Sequence, residues 1–258
     1  MSPIDHFVIA IPARRASTRL PDKPLRLLAG RPLIVHVIER AQSAGAAEVV
    51  VATDDDDIAA LARRAGARAV MTDAAHRSGS DRLAEAARIC AWPDNDIVVN
   101  LQGDEPMAPA SGIREVVAVL ASSRAPMATL ASPIECVADV FSSSVVKVVC
   151  NQNGEALLFS RAPLPWARDA WADGCSVLPA VPSYLRHIGI YAYRAGFLKT
   201  LAGLAPTPLE QAESLEQLRA LEHGFSIAVG IAPEPFAAGV DTPEDLARVD
   251  KLLRERDG

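Results

Sequence analysis

The chain has 258 residues, and half of them are hydrophobic, which is enough for the core of one large α/β domain. Its formal net charge of -6 at pH 7 excludes a general electrostatic affinity for nucleic acid. Small anionic ligands are compatible with this charge, because the basic residues near the N-terminus form a local cluster.

Neither the start of the chain nor its cysteines indicate export or metal binding. The first residues lack a basic segment followed by an apolar run, and no apolar stretch reaches membrane-spanning length. We therefore expect a cytoplasmic protein with no membrane partner. The cysteines show no Cys-x-x-Cys spacing, which disfavours a zinc site and a disulfide framework; they are Cys90, Cys136, Cys150 and Cys175.

In the first part of the sequence, apolar β-rich runs alternate with segments of helical periodicity. The predicted order is strand 6–11, helix 32–44, strand 48–53, helix 56–65, strand 67–71, helix 80–90 and strand 97–101. Strands that alternate with helices form parallel sheets. We therefore predict a mostly parallel sheet with helices on both faces.

After residue 131 the pattern becomes more strand-like and irregular. We predict strands 145–150 and 156–160, a loop-rich insertion over 163–182, strand 187–193, helix 208–222, strand 226–230 and helix 243–256. The whole chain, 1–258, is then a single domain. Residues of about 133–222 form a smaller β-containing subregion within it.

A basic segment follows the first predicted strand. Pro12 cannot continue a strand's hydrogen-bond ladder, and Arg14, Arg19 and Lys23 then come from one irregular stretch. Guanidinium groups bind phosphate oxygens bidentately, and loops at the carboxyl ends of strands are where open α/β sheets bind ligands. A nucleoside triphosphate is the first hypothesis, and the alternative is a solvated loop that pairs with the acidic surface. The segment matches neither the P-loop nor the dinucleotide-binding pattern.

Two aspartates are candidate magnesium ligands. Asp104 lies in a sharp Gly-Asp-Glu-Pro turn directly after a buried strand, and a carboxylate aimed at a triphosphate requires a divalent cation between them. Asp241 precedes Thr242, a candidate helix cap, and is free to reach the same cation. The alternatives are plain turn chemistry for Asp104 and a solvated loop residue for Asp241.

Several ordered sequence blocks resemble one family over nearly the whole chain. These blocks are Arg14 with 16–21 and 23–25, then 51–54, 76–85, 100–107, 159–161, 186–191 and 241–246. Together they resemble the 3-deoxy-manno-octulosonate (KDO) cytidylyltransferases, the CMP-KDO synthetase family. The resemblance implies a Rossmann-like fold of the nucleotide-diphospho-sugar transferase type and transfer of CMP from CTP to KDO for lipopolysaccharide biosynthesis. It also implies Mg²⁺ on Asp104 and Asp241, and a homodimer formed through the 133–222 subregion.

The resemblance also implies roles for further residues. Catalysis involves Arg14, Lys23, Asp104 and Asp241, and the nucleotide site adds Arg19, Ser78, Gly79, Arg82 and Gln102. Ser80 is a natural cap for the helix beside that loop. The acceptor site consists of Arg161, His187, Tyr191, Glu216 and Gln217.

Each of these side chains also has a purely structural interpretation. Gln102 could bond only to backbone, and a strand histidine is more often a satisfied core group. A Glu-Gln pair on a helix is usually a solvated face. His187 and Tyr191 are four positions apart, so strand alternation puts them on the same face.

Two departures from the family pattern leave questions open. Asp22 stands where the family more often has glycine, and it either weakens nucleotide affinity or points to water. The stretch 166–182 is poorly matched. Rival functions are a cytidylyltransferase for 8-amino-KDO or sialic acid, and a non-catalytic CTP-binding protein.

Overall fold

The structure is a computed structural model that describes residues 6–16, 19–76, 78–172 and 174–257. Ser17 and Thr18 of the basic segment, and Arg77 of the 76–85 block, lie outside the described residues. None of the described helices is both long and apolar enough to cross a bilayer.

The helices and strands alternate through the first part of the chain, as the sequence predicts. The strands are β1 (Phe7–Ala13), β2 (Leu27–Leu28), β3 (Arg31–Pro32), β4 (Glu48–Thr53), β5 (Arg68–Met71), β6 (Ile97–Asn100), β7 (Met127–Pro133), β8 (Lys147–Cys150), β9 (Ala156–Ser160), β10 (Leu185–Arg194) and β11 (Ile227–Ile231). The α-helices are α1 (Leu33–Ser43), α2 (Asp56–Arg64), α3 (Gly79–Ile89), α4 (Ala110–Ser122), α5 (Val137–Phe141), α6 (Ala195–Gly203), α7 (Pro208–Glu213), α8 (Gln217–Glu222) and α9 (Pro243–Asp257). A short 3-10 helix covers Lys23–Leu25.

One mixed, mostly parallel sheet organises the fold. Its strand order is β11-β7-β10-β6-β1-β4-β5. β1 is parallel to β4 and β6, β5 to β4, and β11 to β7, whereas β10 is antiparallel to both β6 and β7. β8 and β9 join the sheet through β10. The prediction of a mostly parallel α/β sheet is confirmed.

Apolar side chains cover both faces of the sheet. Ile9 and Ile11 of β1 are fully buried with α1, α2, α4 and α9, whereas Ala10 of the same strand is buried with α3 and α6. Successive side chains of a strand point to opposite faces, so a buried run without polar alternation requires helices on both sides. This explains why β1 is apolar throughout.

The sequence prediction was wrong for residues 208–222, which form two helices instead of one. Ser214 has a φ of 51°, in the left-handed region, and it separates α7 from α8. A left-handed residue cannot continue a right-handed helix. Helical periodicity on both sides of Ser214 concealed the break.

The prediction also omitted α4, α6 and β7. Residues 110–122 and 195–203 carry apolar residues around much of their circumference, and strand β7, with the sequence MATLASP, shows no regular alternation of apolar and polar residues. Segments of this kind show weak periodicity. The loop-rich 163–182 stretch contributes Trp171 to a small third cluster, in which it packs with Tyr184, Ile134 and Val140.

Candidate active site

A cavity of about 350 Å³ opens at the carboxyl ends of β1 and β6. All nine residues predicted for the nucleotide and metal line it. They are Arg14, Arg19, Lys23, Ser78, Gly79, Arg82, Gln102, Asp104 and Asp241. The parallel pairing of β1 with β6 places the loops that follow these strands side by side. The structure therefore brings together side chains from four separate parts of the chain.

Lys23 lies between the two aspartates. Its Nζ donates to Asp104 Oδ2 at 2.7 Å and to Asp241 Oδ1 at 2.9 Å, while Arg19 Nη2 is 3.1 Å from Asp241 Oδ2. Burial opposes the charge on Lys23, but the two carboxylates outweigh it and raise the pKa of this lysine. Lys23 is therefore held as an ammonium.

The donor set fits a magnesium ion. Two carboxylates already converge on one cationic group, which shows that a positive charge between them is stabilised. Over the described ranges, no cluster of three or more His, Cys, Asp or Glu side chains has the geometry of a metal site. Magnesium is commonly held by one or two carboxylates together with substrate phosphates and water. Asp104 and Asp241 match that pattern.

Two glycines let the backbone close around the cavity. A Cβ at Gly103 would lie 2.9 Å from the carbonyl oxygen of Pro12, and one at Gly79 would lie 3.2 Å from Pro12 Cγ. Gly79 begins α3, and the cap of this helix is Ser78, whose Oγ accepts from the amide of Asp81 at 3.1 Å. The prediction that Ser80 caps the helix was wrong, because Ser80 lies inside the first turn, two positions after the cap.

Arg82 and Gln102 are fixed by polar partners. Arg82, which is 2% exposed, donates to Thr72 Oγ1 at 2.6 Å and to Asp54 Oδ2 at 3.2 Å. Gln102 Nε2 donates to Asn100 Oδ1 at 3.1 Å, so its partner is a side chain and not backbone. Sequence reasoning did not identify Thr72 or Asp54, since neither pairing has a local signal.

Arg15 is another residue that sequence reasoning missed. Its guanidinium pairs with Asp57 at 2.5 Å, with Asp55 at 3.1 Å and with Asp22 at 3.5 Å. Asp22 has a φ of 55° and precedes the 3-10 helix that carries Lys23. The Asp22 side chain is 57% exposed and its carboxylate lies 3.5 Å from Arg15, a contact that neither of the two alternatives for Asp22 included. The left-handed backbone also explains why glycine suits this position.

A second cavity adjoins the first and shares Ser78, Gly79 and Gln102 with it. Four of the five predicted acceptor residues line this second cavity: His187, Tyr191, Glu216 and Gln217. The rings of His187 and Tyr191 are 5.5 Å apart, which confirms that both lie on the same side of β10.

Several polar side chains of the second cavity are buried or half-buried, and this affects their hydrogen bonding and their pKa values. Gln217 is 8% exposed, and its Nε2 has no hydrogen-bond partner among the residues that the structure describes. Glu216 accepts a hydrogen bond from Ser80, and burial raises the pKa of its carboxyl group. Burial lowers the pKa of His187 to about 3, so this imidazole is neutral at pH 7. An unpaired buried amide is costly unless a ligand satisfies it.

Arg161 does not line either cavity. Its Nε donates to the carbonyl of Glu213 at 2.8 Å and its Nη1 to the carbonyl of Ser143 at 2.9 Å. The Arg161 carbonyl accepts from Lys147 Nζ at 2.7 Å. Its predicted contact with the acceptor stays a prediction.

Glu105 is a further group that the sequence did not single out. Burial and the neighbouring charges of Asp104 and Asp241 raise its pKa to about 8. A Cβ at Gly239 would lie 3.1 Å from its Oε1, so the 236–241 segment packs closely against it. In the sequence, the Gly-Asp-Glu-Pro turn marks this position as a candidate site, but nothing in the turn distinguishes the carboxylate of Glu105 from that of Asp104.

A family model for cytidylyltransferases matches residues 8–227 of this chain. The chain is 58% identical over 249 residues to the 3-deoxy-manno-octulosonate cytidylyltransferase of Stenotrophomonas maltophilia strain R551-3, covering 96% of this chain and 97% of that protein. It is 59% identical over 250 residues to the protein of the same name from Xylella fastidiosa strain 9a5c, with the same two coverages.

A solved structure has a closely similar fold. It is CMP:2-keto-3-deoxy-manno-octonic acid synthetase complexed with CTP. The TM-score is 0.84 and the sequences are 42% identical, covering 96% of this chain and 98% of the other.

Proposed function

This chain belongs to the cytidylyltransferase family, and from this premise we propose that it activates KDO with CTP to give CMP-KDO and pyrophosphate. The observation that carries the proposal is the convergence of three cationic side chains and two aspartates in one cavity, beside a second cavity that contains His187, Glu216 and Gln217. Relatives that share its length and 58% of its residues are named for this reaction. They favour KDO over 8-amino-KDO or sialic acid, and catalysis over binding alone.

The reaction is a nucleotidyl transfer. The anomeric hydroxyl oxygen of KDO forms a bond to the α-phosphorus of CTP, the bond to the bridging oxygen of the β-phosphate breaks, and the hydroxyl proton is released. Such transfers depend mainly on positioning and charge neutralisation. The site must therefore hold a polyanion and a sugar acid in line.

Arg14, Arg19 and Lys23 supply the positive charge for the triphosphate. Arg14 is exposed in the cavity, and Arg19 pairs with Oδ2 of Asp241, whose side chain is 41% exposed, so both arginines can reach phosphate without breaking a buried contact. Lys23 exchanges one carboxylate contact for a phosphate oxygen. Guanidinium forks and the ammonium then neutralise the charge that develops on pyrophosphate.

Asp104 and Asp241 would hold Mg²⁺, which supplies Lewis-acid polarisation of the phosphate and a lower pKa for the attacking hydroxyl. Ser78, Gly79 and Gln102 lie where the two cavities meet, and Arg82 lines the first cavity; we assign all four to the nucleotide. His187, Tyr191, Glu216 and Gln217 face the acceptor. Arg161 donates to the carbonyl of Glu213, next to the segment that carries Glu216, and its contact with the acceptor stays a prediction.

The exposed surface of the protein bears on its oligomeric state. Exposed apolar side chains concentrate in the 133–222 subregion, among them Leu157 at 61%, Trp166 at 55% and Val181 at 82% exposure. Such a concentration favours burial against a second copy, so we propose a homodimer. We further propose a cytoplasmic role in lipopolysaccharide biosynthesis.

Pyrophosphate release from the purified protein tests the activity. The assay supplies Mg²⁺ with each of the four nucleoside triphosphates in turn, with and without KDO. Release that requires both CTP and KDO is the expected result. Release only with 8-amino-KDO or sialic acid would reassign the acceptor, and CTP binding without release with any acid would favour the non-catalytic alternative.

A further inference from the structure

We propose that Thr129 is a positioning residue that holds His187 in one tautomer, with the proton on Nε2 and a free lone pair on Nδ1. His187 then accepts a hydrogen bond from a hydroxyl group of the sugar acid. This inference rests on the proposed function, because it assigns His187 to acceptor binding.

Thr129 is fully buried on strand β7, directly beside an irregularity in β10. The register between the two strands shifts between Ile188 and Tyr191. The Thr129 hydroxyl is 3.0 Å from the Ile188 carbonyl oxygen and 2.8 Å from the Ile190 carbonyl oxygen. It therefore fills the gap that the bulge leaves in the ladder.

The same hydroxyl is 3.0 Å from Nε2 of His187. A hydroxyl has one proton, and a carbonyl oxygen can only accept. If the Thr129 proton pointed at His187, two carbonyl oxygens would face the Thr129 oxygen with no hydrogen between them. The arrangement with less of that repulsion has the threonine proton directed at the carbonyl oxygens and the His187 Nε2 proton on the threonine oxygen.

The remaining nitrogen of His187 is left as an acceptor. Because burial lowers the pKa of this imidazole to about 3, it carries a single proton at pH 7. With that proton on Nε2, Nδ1 has a lone pair, and no hydrogen bond from the described part of the chain engages it. Phe159 packs edge-on at 4.9 Å and Tyr191 at 5.5 Å between ring centroids, so the ring has little freedom to turn.

This tautomer determines which part of the substrate His187 can contact. A lone pair repels a carboxylate and accepts from a hydroxyl donor. His187 lines both the acceptor cavity and a neighbouring one that includes Arg186 and Glu105. The sugar acid must therefore present a hydroxyl to His187 and its carboxylate to another part of the cavity.

Nitrogen NMR of ¹⁵N-histidine-labelled protein tests the proposal. Five histidines are present, and His187→Gln assigns the signal of interest. In the wild-type protein we expect a protonated Nε2 and an unprotonated Nδ1 for His187, with the Nδ1 signal shifting when KDO is added. Thr129→Ser retains the hydroxyl and should keep this pattern.

Thr129→Val removes the hydroxyl with little change in shape. We expect a mixture of His187 tautomers and a KM for KDO raised roughly tenfold, with the KM for CTP within about twofold of wild type. Thr53→Val is the matched control, because it removes another fully buried strand hydroxyl, with three strands between β4 and β7. It should leave the His187 signals and the KM for KDO unchanged.

A wild-type spectrum with the proton on Nδ1 would overturn the proposal, and it can be read even if Thr129→Val does not fold. So would a folded Thr129→Val protein with an unchanged tautomer and unchanged KM for KDO. Failure of the proposed function is a separate result, since it appears as wild-type protein that releases no pyrophosphate from CTP and KDO. If KDO also leaves the Nδ1 signal of such an inactive protein unshifted, the contact assigned between His187 and the sugar acid is contradicted as well.

Discussion

The ammonium group of Lys23 lies 2.7 Å from Oδ2 of Asp104, although 81 positions separate the two residues. Lys23 belongs to the segment after β1, and Asp104 to the turn after the neighbouring parallel strand β6. The same ammonium contacts Asp241. A divalent cation that binds the two carboxylates therefore competes with the ammonium group of Lys23 for their charge.

Lys23→Met should raise the affinity of the nucleotide-free protein for divalent cations while lowering activity. Removing a competing charge within hydrogen-bonding distance of both carboxylates is expected to tighten Mn²⁺ binding about tenfold. Mn²⁺ titration by electron paramagnetic resonance measures the affinity, and pyrophosphate release measures the activity. Lys251→Met, on the exposed face of α9, is the control. Unchanged Mn²⁺ affinity in Lys23→Met would contradict this role.

Asp104→Asn should abolish turnover and leave the fold intact. The amide keeps the shape of the side chain but removes the charge that would hold the metal, so we expect kcat to fall by about a thousandfold or more. Thermal melting checks the fold. Asp94→Asn, whose side chain is 75% exposed and remote from the cavity, should retain activity. A folded, active Asp104→Asn protein would remove Asp104 from the metal site.

Lys147→Met should destabilise the protein and weaken acceptor binding. Lys147 is fully buried, and its Nζ donates to the carbonyls of Ser142, Val145 and Arg161 at 2.6–2.8 Å. Methionine leaves three carbonyl groups without their charged donor, which should cost about 3 kcal/mol or more in the free energy of unfolding. Urea denaturation measures this cost.

Lys199→Met provides the comparison for Lys147→Met. Lys199 pairs with the exposed Asp94, so its loss should cost less than about 1 kcal/mol. If the two variants lose equal stability, the three carbonyl contacts of Lys147 do not contribute as the distances indicate.

His187→Gln should flatten the acid limb of the stability profile. The pKa of His187 falls from 6.5 to about 3 on folding, so between these values the unfolded chain binds a proton that the native protein does not. Stability therefore rises with pH across this window and is lost as the pH falls below 6.5. At pH 4.5 the wild-type protein should have lost about 2–3 kcal/mol from this group alone.

Urea denaturation at pH 7.0, 5.5 and 4.5 measures that slope. His6→Gln, which changes an exposed histidine outside the cavities, should leave it as in wild type. A His187→Gln protein with the wild-type slope would show that burial does not prevent His187 from taking up a proton.

Asp22→Gly and Asp22→Ala separate backbone strain from charge. Both remove the 3.5 Å ion pair with Arg15, but only glycine adopts a φ of 55° without strain. We expect the glycine variant to be more stable than the alanine variant by about 1 kcal/mol. Thermal melting gives the difference, and the KM for CTP should fall slightly in both once the negative charge is gone. Equal stability of the two variants would show that the left-handed backbone at this position is not costly.

Sequence order alone determined much of the fold and the content of the nucleotide site. The alternation of apolar strands with amphipathic helices predicted the parallel sheet, because period-two and period-3.6 patterns are local properties of the chain. Arg14, Arg19, Lys23 and Asp104 could be proposed because open α/β sheets place the loops after parallel strands at one edge. The metal role of Asp241 depended on the family resemblance.

Other features depended on contacts that no local pattern records. Three examples are the helix break at Ser214, the burial of the Lys147 ammonium and the pairing of Arg15 with Asp55. Each depends on how distant parts of the chain pack together. The placement of Arg161 away from the cavities has the same origin.

The contrast is clearest at the acceptor site. The sequence placed His187 and Tyr191 on one side of a strand, since side chains alternate along β structure. Only the tertiary structure placed Thr129 beside His187, because β7 and β10 pair across 58 positions of sequence with a shift in register. Strand alternation is encoded in neighbouring residues, whereas the protonated nitrogen of a histidine depends on the atom that the fold brings next to it.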